Sequence, residues 1–146
     1  VNTSGYGGRR LRKKIRVQTD DTKHPFVSFT IVGDVEEFVH LKPKKVYLRG
    51  VAGTDIKKTV SIIPVEKYPF KILEVRATNG RDISYTLEKD KNSEMKGYLL
   101  IVENRKKEKG PYFDTINLKT DSKIRPIIRV RVYGNILNPR KQDVEQ

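Results

Sequence analysis

The chain has 146 residues, 36% of them hydrophobic, no cysteine, and 31 Lys and Arg against 18 Asp and Glu, a formal net charge of +13. That is enough for one domain with a real core plus an appendage, too short for two sandwiches, and too apolar for disorder. The missing cysteines exclude disulfides, thiolate metal sites and thiol nucleophiles together, and no apolar run approaches the ~20 residues of a membrane helix.

No basic start leads into an apolar h-region, so an export signal is expected to lie outside this chain or to have been removed. The basic excess is spread: residues 1–35 carry 7 basic and 3 acidic groups, residues 36–137 carry 22 and 13, and residues 138–146 carry 2 and 2. A spread excess favours solubility and attraction to polyanions, whereas a groove for one polyanion needs clustering.

In chain order, Asn2–Gly8 is turn-rich and reads as a flexible lead-in. It is followed by Arg9–Val17, the densest basic run. With a period of two, Arg10, Arg12, Lys14 and Arg16 share one strand face and Leu11, Lys13, Ile15 and Val17 the other. Such a row of cations is a candidate polyanion stripe; its plainer reading is a solvated face that blocks edge pairing. No aromatic residue interleaves the run as a stacking platform would.

A first strand of the next segment begins at Phe38. Pro43 interrupts it, as at an edge strand or a switch between sheets, before Val46–Leu48 resume it. Ile56–Ile63 is the second strand, ended by Pro64. Tyr68-Pro69-Phe70 leads into a third that runs to Ala77, and Asn79-Gly80 is the strongest turn signal because both residues tolerate positive φ. Ile83, Tyr85 and Leu87 alternate in a fourth. Gly97–Glu103 is a fifth, its apolar run Tyr98–Val102 predicting burial on both sides. Asn104–Gly110 reads as a charged hairpin tip, and Phe113–Thr120 and Ile127–Gly134 as strands six and seven. Within the last, Ile128, Val130 and Val132 face inward, and Arg129 and Arg131 outward.

An internal repeat decides the architecture. At an offset of 101 positions, Thr19, Asp20, Pro25 and Gly33 match Thr120, Asp121, Pro126 and Gly134. Ile15, Val17, Val27, Phe29 and Ile31 likewise match Ile116, Leu118, Ile128, Val130 and Val132. A period of one domain suits an immunoglobulin-type sandwich of about 100 residues. The expected fold is all-β: a seven-stranded immunoglobulin-like sandwich over residues 36–137, preceded by a β-hairpin in residues 1–35 that closes a truncated preceding repeat, and followed by a polar tail at 138–146. Both turns are expected to be built by an aspartate accepting from the backbone two residues on, Asp20 and Asp121.

Three segments carry a resemblance: "KYPFKILEV" at 67–75, Gly-Pro-Tyr-Phe at 110–113, and "INLKTDSKIRPIIRVRVYG" at 116–134, with residues 3–35 similar to the closing segment of another copy. Together they resemble the bacterial Ig-like repeat family of unknown function, related to the Hydin-type (ASH) and major-sperm-protein-like sandwiches. The family turn is nearer Ser-Asn-Asp-Pro, where this chain has Thr-Asp-Asp and Thr-Asp-Ser. The resemblance implies an exported bacterial protein, in periplasm, outer membrane or cell surface, whose domains are non-enzymatic modules; it carries no catalytic residues.

The residues agree in offering no catalytic, cofactor-binding or metal site. His24 sits beside a turn proline and His40 in a strand, neither with another ligand at metal spacing; Asp20-Asp21 lacks the ~6–8 oxygens of a calcium cage. No phosphate loop or nucleophile elbow occurs. Two binding functions remain. One is a structural or protein-interaction module that contacts neighbouring repeats or a protein partner. Its hairpin, marginal alone in water, is expected to pack its apolar face on the complete domain or to self-associate with a second copy. The alternative is a polyanion binder for nucleic acid, anionic polysaccharide or phospholipid head groups. It would use Arg10, Arg12, Lys14 and Arg16, the cations of 105–109, the outward Arg125, Arg129 and Arg131, and a patch formed by Lys119 with Arg129 and Arg131.

Overall fold

The computed structural model describes residues 1–140 apart from Ser93 and Met95, so the expected polar tail lies from 141 onward outside the described residues. The chain is all-β: ten strands and no helix among the described residues, hence none long and apolar enough to cross a membrane. It divides into two compact units, Val1–Phe38 and Val39–Gln146.

The first unit is a hairpin of β1 (Arg10–Gln18) and β2 (Phe26–Asp34), antiparallel in register from Arg10↔Asp34 to Gln18↔Phe26. The lead-in read as flexible is held by turns instead. Gly5 and Gly8 adopt positive φ of 83° and 76°, a region open to glycine, and the Gly8 amide donates to the Val35 carbonyl at 2.8 Å.

The second unit stacks two four-stranded sheets. One has the order β4 (Lys45–Val51), β10 (Ile127–Leu137), β9 (Gly110–Thr120), β6 (Ile72–Ala77); the other β3 (Val39–Lys42), β5 (Lys57–Pro64), β8 (Tyr98–Asn104), β7 (Ile83–Lys89). All pairs are antiparallel except β4 with β10. The strand expected across Phe38–Leu48 is two strands, one in each sheet, with a cis Lys42–Pro43 bond between them. Pro43 therefore marks a switch between sheets, and this unit has eight strands where seven were expected.

Alternation builds the core. Val46 and Leu48, Val60 and Ile62, Leu100 and Val102, Ile116 and Leu118, and Ile128, Val130 and Val132 are all fully buried, one face from each of five strands. Each such side chain contributes about 1.5–3 kcal/mol by leaving water. Two tyrosines join the layers: the Tyr85 hydroxyl accepts from the Ala77 amide at 3.1 Å and the Tyr98 hydroxyl from Ile72 at 3.3 Å. The outer residues of β8, Leu99 and Ile101, are only half-buried, so the strand is covered fully on one side rather than on both. Asn104–Gly110 is not a hairpin tip. β8 already pairs with β5 and β7, and β9 with β10 and β6, so the segment crosses between sheets. Asn79-Gly80 also sits at a crossing. Gly80 has a φ of 73°, and the buried Asp114 carboxylate accepts from the Asn79 and Gly80 amides at 3.0 and 2.8 Å.

The hairpins β1–β2 and β9–β10 have the same register at the 101-residue offset, since Gln18↔Phe26 corresponds to Lys119↔Ile127 and Arg10↔Asp34 to Pro111↔Asn135. Their turns share hydrogen bonds as well. The Thr19 and Thr120 amides donate to Pro25 and Pro126 carbonyls at 2.8 Å each. Their hydroxyls donate to the His24 and Arg125 carbonyls at 2.5 and 2.7 Å, and accept from the amides of Asp21 and Ser122 at 3.3 and 3.2 Å. Threonine thus organises both turns in place of the expected Asp20 and Asp121, and in the first turn Asp21 adds a bond from the Lys23 amide at 2.9 Å. Asp121 instead reaches the start of β6: its carboxylate accepts from the Lys71 amide at 2.8 Å, and its own amide donates to the Lys71 carbonyl at 3.1 Å.

Candidate polyanion-binding face

The outer face of the β4–β10–β9–β6 sheet collects the cations that alternation pushes away from the core. β10 supplies Arg129 and Arg131, opposite Asn117 and Thr115 of β9, while Lys119 lies opposite Ile127, one step along the same face. The three residues expected as a patch are therefore brought together. Pairing adds others that period two in a single strand does not reveal: Lys45 beside Arg131, Arg49 beside Asn135, and Arg76 opposite Asn117. Among the described residues of these four strands, the only acid on this face is Glu74, which pairs with Arg76 at 3.3 Å. An exposed pair of this kind adds little stability and leaves the face strongly positive.

Arg125, in the turn, is half-buried rather than outward. Burial lowers its pKa first and the nearby Arg129 guanidinium lowers it further, a sign that like charges crowd this end of the face. Glu74, Arg76, Asn117, Lys119, Pro126 and Ile127 line a shallow depression there.

A row of rings crosses the same face. Tyr47, Tyr133 and Phe113 are neighbours across β4, β10 and β9. Tyr47 and Tyr133 stack with centroids 5.3 Å apart and planes at 19°, and Phe113 meets Tyr133 at 5.1 Å with a 53° tilt. Tyr47 is 59% exposed and Phe113 54%. Sequence reasoning missed this row. Tyr133 does continue the parity of Arg129 and Arg131, but Tyr47 arrives by a parallel pairing with the far end of the chain.

In the other unit, Arg10, Arg12, Lys14 and Arg16 share an exposed face of β1. The aromatic partner absent from the run comes from the opposite strand: the Arg16 guanidinium lies 3.9 Å from the Phe26 ring centroid. Lys13, on the other face, is 5.3 Å from the Tyr6 ring centroid. The cations of 105–109 are partly engaged, with Arg105 donating to Ser84 Oγ at 3.0 Å and pairing with Glu103 at 3.4 Å.

Two further polar groups, Asp21 with His24 and Tyr112 with Asn104, have structural partners. His24 Nδ1 is 3.3 Å from Asp21 Oδ2. The Lys23 amide and then the His24 side chain lower the Asp21 pKa. Tyr112 donates to Asn104 Oδ1 at 2.8 Å, and burial, with Asp82 and Asp114 nearby, pushes its pKa up to about 12. Among the described residues there is no group of three His, Asp or Glu placed to hold a metal ion.

No family model matches this chain, and no curated protein does. Among solved structures it is similar to a protein of unknown function from Porphyromonas gingivalis W83. That match has 12% sequence identity and a TM-score of 0.51, covering 92% of this chain and 68% of the other, which is a likeness of fold.

Proposed function

We propose that this protein is a non-enzymatic structural or protein-interaction module of the immunoglobulin-like type, belonging to an exported bacterial protein with several such repeats. The observation that carries the reading is the pair of hairpins, which share register and turn hydrogen bonds at one fixed offset. β9–β10 closes a sandwich; β1–β2, built on the same template, is the closing element of another. The strand order supports the immunoglobulin-like assignment. β3-β5-β8-β7 corresponds to the ABED sheet and β6-β9-β10 to CFG, with the first strand shared between sheets.

The test is amide exchange at increasing protein concentration. A closing hairpin without its sandwich covers its apolar face with a second copy, so residues 10–33 gain protection as concentration rises. Rapid exchange at all concentrations, with sedimentation as a monomer throughout, removes the module reading.

A second reading, polyanion binding, is favoured by one specific observation: Lys45, Arg49, Arg76, Lys119, Arg129 and Arg131 share one sheet face with Glu74 as the only acid among its described residues. Retention on heparin beyond physiological salt supports it, because neutralising several anionic groups makes binding steeply salt-dependent. Elution at or below physiological salt leaves the module reading alone.

A further inference from the structure

The polyanion reading says nothing of what the ring row is for. A Tyr–Tyr–Phe row adds some cross-strand stabilisation to its sheet, about 0.2–1 kcal/mol per pair. That accounts for neighbouring rings but not for the exposure of the outer two: Tyr47 and Phe113 are more than half exposed on a cationic face, with Tyr133 half-buried between them. Large apolar area left in water among guanidinium groups is the composition of a surface that binds planar, anionic ligands.

We propose that the outer face of the β4–β10–β9–β6 sheet binds single-stranded nucleic acid, with bases stacking on the Tyr47–Tyr133–Phe113 row and phosphates held by the flanking cations. The inference rests on the polyanion reading and adds the ligand class. Tyr47 and Tyr133 already form a stack with planes at 19°, and Tyr47 lies on the edge strand of its sheet. Its outer ring face is where a nucleobase extends that stack. Phe113, tilted by 53° at the other end, offers a second ring to a neighbouring base. Lys45 and Arg131 flank the row on one side and Arg49 on the other, and Arg129 and Lys119 continue the positive track along β10 and β9. A backbone running along the strands thus meets cations before and after it crosses the rings. Bases buried in a duplex present no free face to such a row, so single strands are preferred. An anionic polysaccharide gains from the cations but lacks aromatic planes to stack with.

The experiment uses the full chain with a labelled oligothymidylate of about 12 nucleotides, read by fluorescence anisotropy. The same sequence as a duplex, and heparin, serve as competitors. Tyr47→Thr and Phe113→Thr keep β-forming side chains on exposed sites, and Tyr47→Phe keeps the ring; circular dichroism checks that each variant is folded. The expected result is binding to the single strand in preference to the duplex. Tyr47→Thr and Phe113→Thr weaken it about tenfold each, from the loss of a base–ring stack, whereas Tyr47→Phe leaves it unchanged. Arg129→Gln with Arg131→Gln flattens the dependence of affinity on salt without abolishing preference for the single strand. If heparin and the oligonucleotide bind alike and the ring variants match the parent chain, the stacking inference is overturned and the polyanion reading survives. If neither ligand binds above physiological salt, both fall.

Discussion

The two hairpins of this protein follow one template and have opposite surroundings. Ile116, Leu118, Ile128, Val130 and Val132 are fully buried; at the matching positions Ile15, Val17 and Ile31 are about 40% exposed, Phe29 is 56% exposed and Val27 half-buried. Alternation and turn chemistry therefore make the hairpin without a core, while its contribution to stability depends on what covers the apolar face. The glycines make the same point. A Cβ on Gly134 would lie 2.1 Å from the Tyr112 ring, while one on Gly33 meets nothing within 4 Å.

The sharpest way to break the comparison is to cut the same side chain from both copies. Ile116→Ala is expected to cost about 2–5 kcal/mol in urea unfolding, against roughly 0.5 kcal/mol for Ile15→Ala in a dilute sample. Equal losses would mean that the first hairpin's face is covered as completely as the second's. Next in size, Gly134→Ala forces the Tyr112 ring out of place and should cost about 1–3 kcal/mol, with Gly33→Ala close to neutral by thermal melting.

Tyr112 offers a titration. Its folded pKa is raised to about 12 from the ordinary tyrosine value of 10.0, so the unfolded chain loses that proton first. The Tyr112 contribution to stability is fully present below pH 10 and is lost as the pH rises from there toward 12. Absorbance of ionised tyrosine should show one late-titrating ring, which Tyr112→Phe removes; an unchanged titration in that variant sinks the assignment. The smallest effect belongs to the first turn. Asp21 has a lowered pKa, so its contribution is present above the ordinary carboxylate pKa and is lost as the pH falls through the depressed value. A carboxyl carbon titration by NMR should place its midpoint below the ordinary aspartate value of 3.8. A midpoint at or above that value would mean that the Lys23 and His24 contacts are absent in solution.

The all-β character was legible because charged and aliphatic residues alternate through β9 and β10, and because Pro43 and Asn79-Gly80 punctuate the chain where it turns. The patch at Lys119, Arg129 and Arg131 was legible in part, since one strand's parity sends its arginines outward. Its extension was not. Lys45, Arg49 and Tyr47 come from a strand that pairs in parallel with β10, and nothing local in residues 45–49 names that neighbour. The aspartates misled for a related reason: Thr120 serves the turn locally, which leaves Asp121 free to hold a strand 50 residues away. Asn104–Gly110 had the polar composition of a hairpin tip, yet composition is the same whether a loop joins neighbours or changes sheets.

Taken alone, the order of residues determined which side chains share a strand face, where the chain turns, and that one hairpin pattern occurs twice, because these depend on parity and on the torsional preferences of a few residues. The folded state decided which strands lie side by side, and so which cations and rings gather on one surface and which of two similar hairpins loses its apolar face from water. Pairing and stacking are long-range choices, set by how the sheets bury their inner faces together, and no short window of the chain contains them.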